Sequence, residues 1–342
     1  MFIYDPILEV TLADYGILIP SKPDKIRKPA AFLERRLARV KRERWFTPLR
    51  ADLIGRADLE RVHDPAFVAR LYAGGETARE EVIRAFELRD ASGRWYRYDP
   101  ARATRPLEGL FKRESETASG TFQACLTAAE RGFCFLLSGG RHHAQYGYGD
   151  GFCLINDVVI AADAFLRRNA GAKTVWIIDV DAHKGDGTAA LTQGRADIAT
   201  FSIHMGDSWP LDPERRAMPD HPSLIPSDID VEIDRGEEER YLGALADGLD
   251  RLDSLLPGGA DLAIVVDGSD PYEKDELPSA SGLRLTAGQM LERDVMVYRF
   301  LKERGIPSAW LTAGGYGDAS HEAYERFFGW LIDNRELPFQ KE

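Results

Sequence analysis

The chain has 342 residues, of which 44% are hydrophobic and 10% aromatic, so a sizeable buried core is available, and no apolar run approaches the ~18 to 20 residues that cross a bilayer. A net charge of −12 argues against a broad phosphate-binding face, and so against nucleic acid as a partner. Three cysteines, Cys125, Cys134 and Cys153, cannot build a disulfide framework, and the start Met1-Phe2-Ile3-Tyr4-Asp5-Pro6 lacks the layout of a secretory signal, so a cytoplasmic protein is expected.

No fixed-period repeat or linker interrupts the sequence, and a single domain over 1–342 is expected. From Lys22 to Arg44, ten Lys/Arg face three Asp/Glu, a local +7 in an acidic chain. The pattern predicts a solvated helix over Ala30 to Arg44 with Phe32, Leu33, Leu37 and Val40 inward. A subunit contact in a homo-oligomer, or a patch for an anionic partner, is the other reading.

Beyond it, apolar β-rich runs alternate with helical periods. Strands are expected at Phe133–Ser138, Val175–Asp179, Ile198–His204, Leu262–Asp267 and Ser308–Thr312. Helices are expected at Thr117–Arg131, Asp157–Arg168, Glu239–Leu256, Ala287–Arg304 and His321–Asn334. The alternation predicts an α/β fold, with a central, mainly parallel sheet covered by helices on both faces. Ligands in such sheets gather at the carboxyl ends of the strands, and the polar, glycine-rich clusters of this sequence follow the apolar runs.

After the first run come Ser138-Gly139-Gly140-Arg141-His142-His143-Ala144 and then Gly151-Phe152-Cys153. Adjacent histidines are commonly part of a polar loop. After the second run come Asp179-Val180-Asp181-Ala182-His183-Lys184-Gly185-Asp186. Strand alternation would send Asp179, Asp181 and His183 to one side, where a carboxylate and an imidazole can share a metal ion. Asp179 and Asp186 are then free to orient one imidazole each of His142 and His143, as two His-Asp dyads suited to acid/base work. After the fourth run, Asp267-Gly268-Ser269-Asp270 offers Asp270 as a third ligand, completing a set of charge −2 with an open position for water, or else an ordinary turn. After the fifth, Gly314-Gly315-Tyr316 presents a phenol that can donate to an oxyanion, or a packing residue.

Taken in order, these clusters resemble the histone deacetylase superfamily, which includes the acetylpolyamine amidohydrolases. The similarity extends through Gly151-Phe152-Cys153-Leu154-Ile155-Asn156-Asp157 and Leu283-Arg284-Leu285-Thr286, and more weakly through Val62-His63-Asp64-Pro65 and Glu108-Gly109-Leu110. The resemblance implies a single-domain arginase/deacetylase fold and a zinc-dependent amidohydrolase, with ferrous iron as the other metal, acting on acetyl-lysine or another small acylated amine. It implies Asp181, His183 and Asp270 as zinc ligands, His143 with Asp186 as general base, His142 with Asp179 as an electrostatic dyad, and Tyr316 as the group that polarises the carbonyl. A structural potassium ion would lie against Asp179, Asp181, His183, Ser202 and Ile203. Gly151, Phe152, Trp209 and Leu277 would line the acyl-amine tunnel, with Leu277 where a glutamate would favour a polyamine cation.

The sequence departs from the family pattern at Lys184, where many members carry a second histidine, at Ala313, where a glycine is frequent, and between Leu277 and Leu283, which is about three residues longer than usual. The arginase branch would need further bridging carboxylates where Gly185 and Tyr272 stand. A metal-dependent binding protein without turnover is the non-enzymatic alternative.

Overall fold

The computed structural model describes residues 1–255 and 258–337. Eight strands form one sheet: β1 (Phe2–Ile3), β2 (Phe46–Thr47), β3 (Phe133–Leu136), β4 (Val175–Asp179), β5 (Ile198–Met205), β6 (Ile229–Ile233), β7 (Leu262–Val266) and β8 (Ser308–Leu311). Their order is β2-β1-β3-β8-β7-β4-β5-β6, and every neighbouring pair is parallel. Every residue of β3, β4, β5, β7 and β8 is buried. That is why these strands read as unbroken apolar runs: a parallel sheet covered on both faces has no solvent side to alternate with.

The helices are α1 (Asp24–Arg36), α2 (Arg56–Val62), α3 (Pro65–Ala73), α4 (Gly75–Ala85), α5 (Gly109–Arg131), α6 (Asp157–Arg168), α7 (Asp186–Thr192), α8 (Pro213–Arg216), α9 (Tyr241–Leu255), α10 (Ala287–Glu303) and α11 (His321–Asp333). Helices α2, α6 and α5 pack in succession, and α9, α10, α11 and α1 form a second succession. Local signals set the ends. The Asn156 side chain accepts from Val159 N at 2.9 Å to start α6, and Gly132 in the left-handed region (φ 80°) ends α5. Thr286 and Gln289 form a reciprocal capping box at the start of α10.

The five central strands and the helices between them lie close to where the periodicity puts them. The expected helix at Ala30–Arg44 does not. It begins ahead of Pro29, which forfeits only one N–H there, and stops at Leu37, whose N–H bonds Leu33 O at 2.8 Å. Continuing it would stack Arg35 against Arg39 on one face. The turn instead lets Leu37 reach the core while the Arg42 guanidinium lies 3.9 Å over the Phe46 ring. Helix α5 also starts earlier than Thr117, at Gly109, where an Arg113–Glu116 pair at 2.7 Å supports the added turns. Leu256, the expected end of the helix now bounded at Leu255, lies outside the described residues. Among the described residues no helix is long and apolar enough to cross a membrane.

Candidate metal centre and tunnel

Strand order decides which clusters meet. β4 is flanked by β7 and β5, with Asp179 in register with Val266 on one side and Ser202 on the other. The loops carrying Asp181 and His183, Asp270, and Ser202-Ile203 therefore share one end of the sheet. β8 lies between β7 and β3, which brings Gly314-Gly315-Tyr316 and His142-His143 to the same end.

Asp181, His183 and Asp270 are all buried, and their ligand atoms lie within 4.8 Å of one another. His183 Nδ1 is 3.2 Å from Asp181 Oδ1 and 3.0 Å from Asp270 Oδ2. Strand alternation does not produce this convergence, contrary to the expectation that Asp179, Asp181 and His183 share a strand face. The chain leaves β4 at Asp179 and bends: Asp181 N donates to Asp179 Oδ1 at 3.1 Å, and His183 N to Asp181 Oδ1 at 3.0 Å. Asp179 thus turns toward His142 while Asp181 and His183 turn toward Asp270. Backbone donors fix the carboxylates, Gly314 N to Asp181 Oδ2 at 2.8 Å and Ala182 N to Asp270 Oδ1 at 3.0 Å. A Cβ at Gly268 or Gly314 would strike the Asp181 carboxylate, so both backbones approach as only glycine permits.

The donor set fits a divalent metal. Burial, with Asp181 alongside, pushes the Asp270 carboxyl above its ordinary range, so two buried carboxylates here repel unless a cation lies between them. Two carboxylate oxygens and one imidazole nitrogen suit zinc or ferrous iron.

Both histidine dyads are formed. His142 Nδ1 lies 2.6 Å from Asp179 Oδ2, and His143 Nδ1 lies 2.7 Å from Asp186 Oδ1. The imidazoles are 3.9 Å apart between centroids, too close for both to be charged cheaply. Burial opposes charge on His142, but Asp179 and Asp181 outweigh it and lift the ring to about 9. Burial and the neighbouring His142 hold His143 down to about 3 despite Asp186. The two dyads are therefore pushed in opposite directions, His142 toward holding a proton and His143 toward the neutral ring.

Asp186 is held by more than sequence reasoning supplied. Gln145 Nε2 donates to its Oδ2 at 2.9 Å, the Ser223 hydroxyl donates to the same oxygen, and Arg215 Nη1 lies 3.8 Å away. Burial raises the Asp186 carboxyl, but His143, with Ser223 and Arg215, prevails and keeps it below its ordinary value. Gln145 could have been suspected two residues past His143. Ser223 and Arg215 come from the segment between β5 and β6, where nothing in the spacing announces them.

A cavity of about 100 Å³ is lined by His143, His183 and Tyr316, with Phe152, Trp209, Gly151 and Leu277 around it. The Trp209 ring lies edge-on to His143 at 4.5 Å between centroids, and Phe152 meets Tyr316 edge-on at 6.2 Å. Trp209 precedes Pro210 through a cis peptide bond. Gly151 has φ +53°, and a side chain there would strike both Trp209 and His143. Tyr316 N donates to Asp275 Oδ2 at 2.7 Å, and burial with the nearby Asp270 and Asp181 keeps its phenol protonated far above neutral pH. All four expected tunnel residues thus line one cavity with His143, His183 and Tyr316.

Ser202 and Ile203 lie on β5 beside Asp179. Ser202 Oγ is 2.9 Å from His204 Nδ1, and Gly185 N donates to it at 3.4 Å. Lys184 is buried and spends its charge on Ile225 O at 2.9 Å and Asp230 at 3.3 Å, away from the metal ligands. Buried His63 bridges backbone, Nδ1 to Gln145 O and Nε2 to Asn156 N, which is structural. Cys153 and Cys134 are buried, with burial pushing both thiols up, as inert small hydrophobes should be.

Sequence reasoning also missed Arg293, whose guanidinium is wholly buried. It donates to Val180 O at 2.9 Å and Gly268 O at 2.8 Å, and pairs with Asp267 and with Asp294 at 2.7 Å. One side chain therefore ties together the loops that carry Asp181 and Asp270. Arg293→Met should destabilise the fold by about 3 to 5 kcal/mol, because it strands two buried carboxylates. Chemical denaturation would show this as a lowered midpoint, and an unchanged midpoint would remove Arg293 from that role.

A family model described as "Histone deacetylase domain" matches residues 19–329. An uncharacterised protein of Picosynechococcus is 30% identical over 273 residues, covering 79% of either chain. Acetylpolyamine amidohydrolase 1 of Pseudomonas aeruginosa is 28% identical, covering 82% of this chain and 84% of its own. Among solved structures, the acetylpolyamine aminohydrolase from Burkholderia pseudomallei superposes with a TM-score of 0.67 at 19% identity, covering 96% of this chain and 97% of its own. The HDA15 HD domain gives 0.65 at 20% identity, covering 97% and 89%.

Proposed function

This chain belongs to the histone deacetylase domain family, and on that premise we propose that it hydrolyses the amide of a small acylated amine or of acetyl-lysine, with Asp181, His183 and Asp270 holding a zinc or ferrous ion. The observation that carries this reading is one cavity whose walls hold His143, the buried Asp181-His183-Asp270 set and Tyr316 together. When bound, the ion supplies Lewis acidity, which lowers the pKa of water and polarises a carbonyl.

The protein's own groups do the rest. His143 Nδ1 donates to Asp186, so Nε2 carries the free lone pair and takes a proton from the attacking water. Asp186, fixed by Gln145 and Ser223, orients that ring and stabilises the imidazolium once it forms. The Tyr316 hydroxyl donates to the carbonyl oxygen as negative charge builds on it. The carbon–nitrogen bond then breaks, the His143 imidazolium returns its proton to the departing nitrogen, and the products are a carboxylic acid and an amine. His142, held charged by Asp179, contributes positive potential without giving up its proton. Phe152 and Trp209 wall the methylene chain of the substrate and exclude water.

A structural potassium ion against Asp179, Asp181, His183, Ser202 and Ile203 is part of the same proposal, and the strand-end register that brings these residues together supports it. Tyr316→Phe tests the oxyanion role. The variant should fold normally and lose roughly 10² to 10³ in kcat. Turnover within a few-fold of the parent would end that assignment.

A further inference from the structure

The tunnel mouth carries a pair of opposite charges that acyl-amine hydrolysis does not require. Glu87 and Arg97 line the same cavity as His143, His183 and Tyr316. They stand on the two arms of a ribbon that turns at Asp90–Arg94, where Asp90 N donates to Arg94 O at 2.9 Å. Tyr96 N donates to Leu88 O at 2.9 Å between the arms, and Arg89 bridges Trp95. Arg97 Nη1 pairs with Glu87 Oε2, and both side chains remain about one-third exposed, so each keeps open valence. The guanidinium is held in place by two rings, 5.3 Å over Phe152 and 4.9 Å over Tyr96. Glu87 is placed by the end of α4: it takes the left-handed position after the cap (φ +50°), with Glu87 N donating to Arg84 O at 3.0 Å and Leu88 N to Ile83 O at 2.9 Å.

Resting on the amidohydrolase reading above, we propose that the preferred substrate is a zwitterion: a free amino acid acylated on its distal amine. Its α-carboxylate pairs with the open nitrogens of Arg97 and its α-ammonium with the open oxygen of Glu87. The acyl amide then lies between Phe152 and Trp209 at the metal centre. The charge balance favours this class over two others. A polyamine tail is purely cationic and would meet Arg97 with a like charge, while a lysine inside a polypeptide carries neither α-charge for the pair to hold. Trp209 is flanked by a second such pair, neither member of which lines the cavity. Arg215 lies 4.8 Å over the Trp209 ring and pairs with Asp150 at 2.9 Å.

The test compares three probes on the metal-loaded protein: Nε-acetyl-lysine, its α-carboxamide, and N-acetyl-1,5-diaminopentane, which is the same chain without the carboxylate. The parent should show the highest kcat/KM for free Nε-acetyl-lysine. In Arg97→Gln the ratio of Nε-acetyl-lysine to the diaminopentane amide should fall roughly 10- to 100-fold, the loss of a hydrogen bond between charged groups. Arg97→Lys should recover part of it. A parent that treats the three probes alike, or an Arg97→Gln variant that slows all three equally, overturns the inference while leaving the amidohydrolase reading intact. Hydrolysis of none of them would count against that reading instead. Calorimetric binding of Nε-acetyl-lysine to parent and Arg97→Gln then decides the inference separately, and equal affinity would overturn it.

Discussion

His143→Ala should lower kcat by about 10² to 10⁴, with little change in the folding midpoint, because it removes the ring proposed to take and return the proton. The structure says why this dyad, and not its neighbour, should be the sensitive one. Of two imidazoles 3.9 Å apart, His142 is the one whose hold on a proton is raised, by Asp179 and Asp181. His143 is left neutral, with Nδ1 committed to Asp186 and Nε2 free. His142→Ala removes a source of potential and should therefore cost less. If His142→Ala proves far more damaging than His143→Ala, the two dyads have exchanged roles. Asp186→Asn gives a second handle, since it frees the orientation of the ring without removing it.

Stripping divalent metal with a chelator should abolish hydrolysis, and adding back zinc or ferrous iron should restore it. Removing the ion leaves Asp181 and Asp270 facing each other in a buried site, offset by His183, by His142 at 3.7 Å from Asp181 and by backbone N–H groups. Apoprotein should accordingly unfold at a lower temperature, and the midpoint should rise with metal concentration as RT ln(1 + [L]/Kd) requires. Full activity after exhaustive chelation, with metal analysis confirming its absence, would defeat the metal-centred reading. Restored stability without restored turnover would favour a binding protein.

Much of this site was legible in the sequence because the chemistry sits directly after apolar runs. β3, β4, β5, β7 and β8 are buried on both faces, so each appears as an uninterrupted hydrophobic stretch, and the residues after each one form a loop at the strand's carboxyl end. The missing pieces lacked such a signal. β1 and β2 have two residues each, too few for any period, and β6 is an edge strand whose Ile-Asp-Val-Glu-Ile alternates with solvent. The helix placed at Ala30–Arg44 failed because its apolar positions continue across a turn, where Leu37 reaches the core without helical geometry. Arg293, Ser223 and Arg215 act on residues far away in the chain. Their partners are set by strand order, which no local pattern encodes. The convergence of Asp181 and His183 came from bends stitched by side-chain acceptors rather than from alternation along an extended strand.

The strand order has a consequence for how the protein comes to life. Without β8 the sheet falls into two pieces, β2-β1-β3 and β7-β4-β5-β6, because β8 pairs with β3 on one side and β7 on the other. The His142-His143 loop belongs to the first piece, and the loops of Asp181 and Asp270 belong to the second. A growing polypeptide can assemble both pieces before Ser308–Leu311 has been made, yet the two halves of the site stay unjoined until that late strand slots between them. Closure depends on contacts between residues more than a hundred positions apart, which places it among the slower steps of folding. Nascent or C-terminally shortened chains should therefore be free of amidase activity, and appearance of turnover during refolding should lag behind the gain of helical signal.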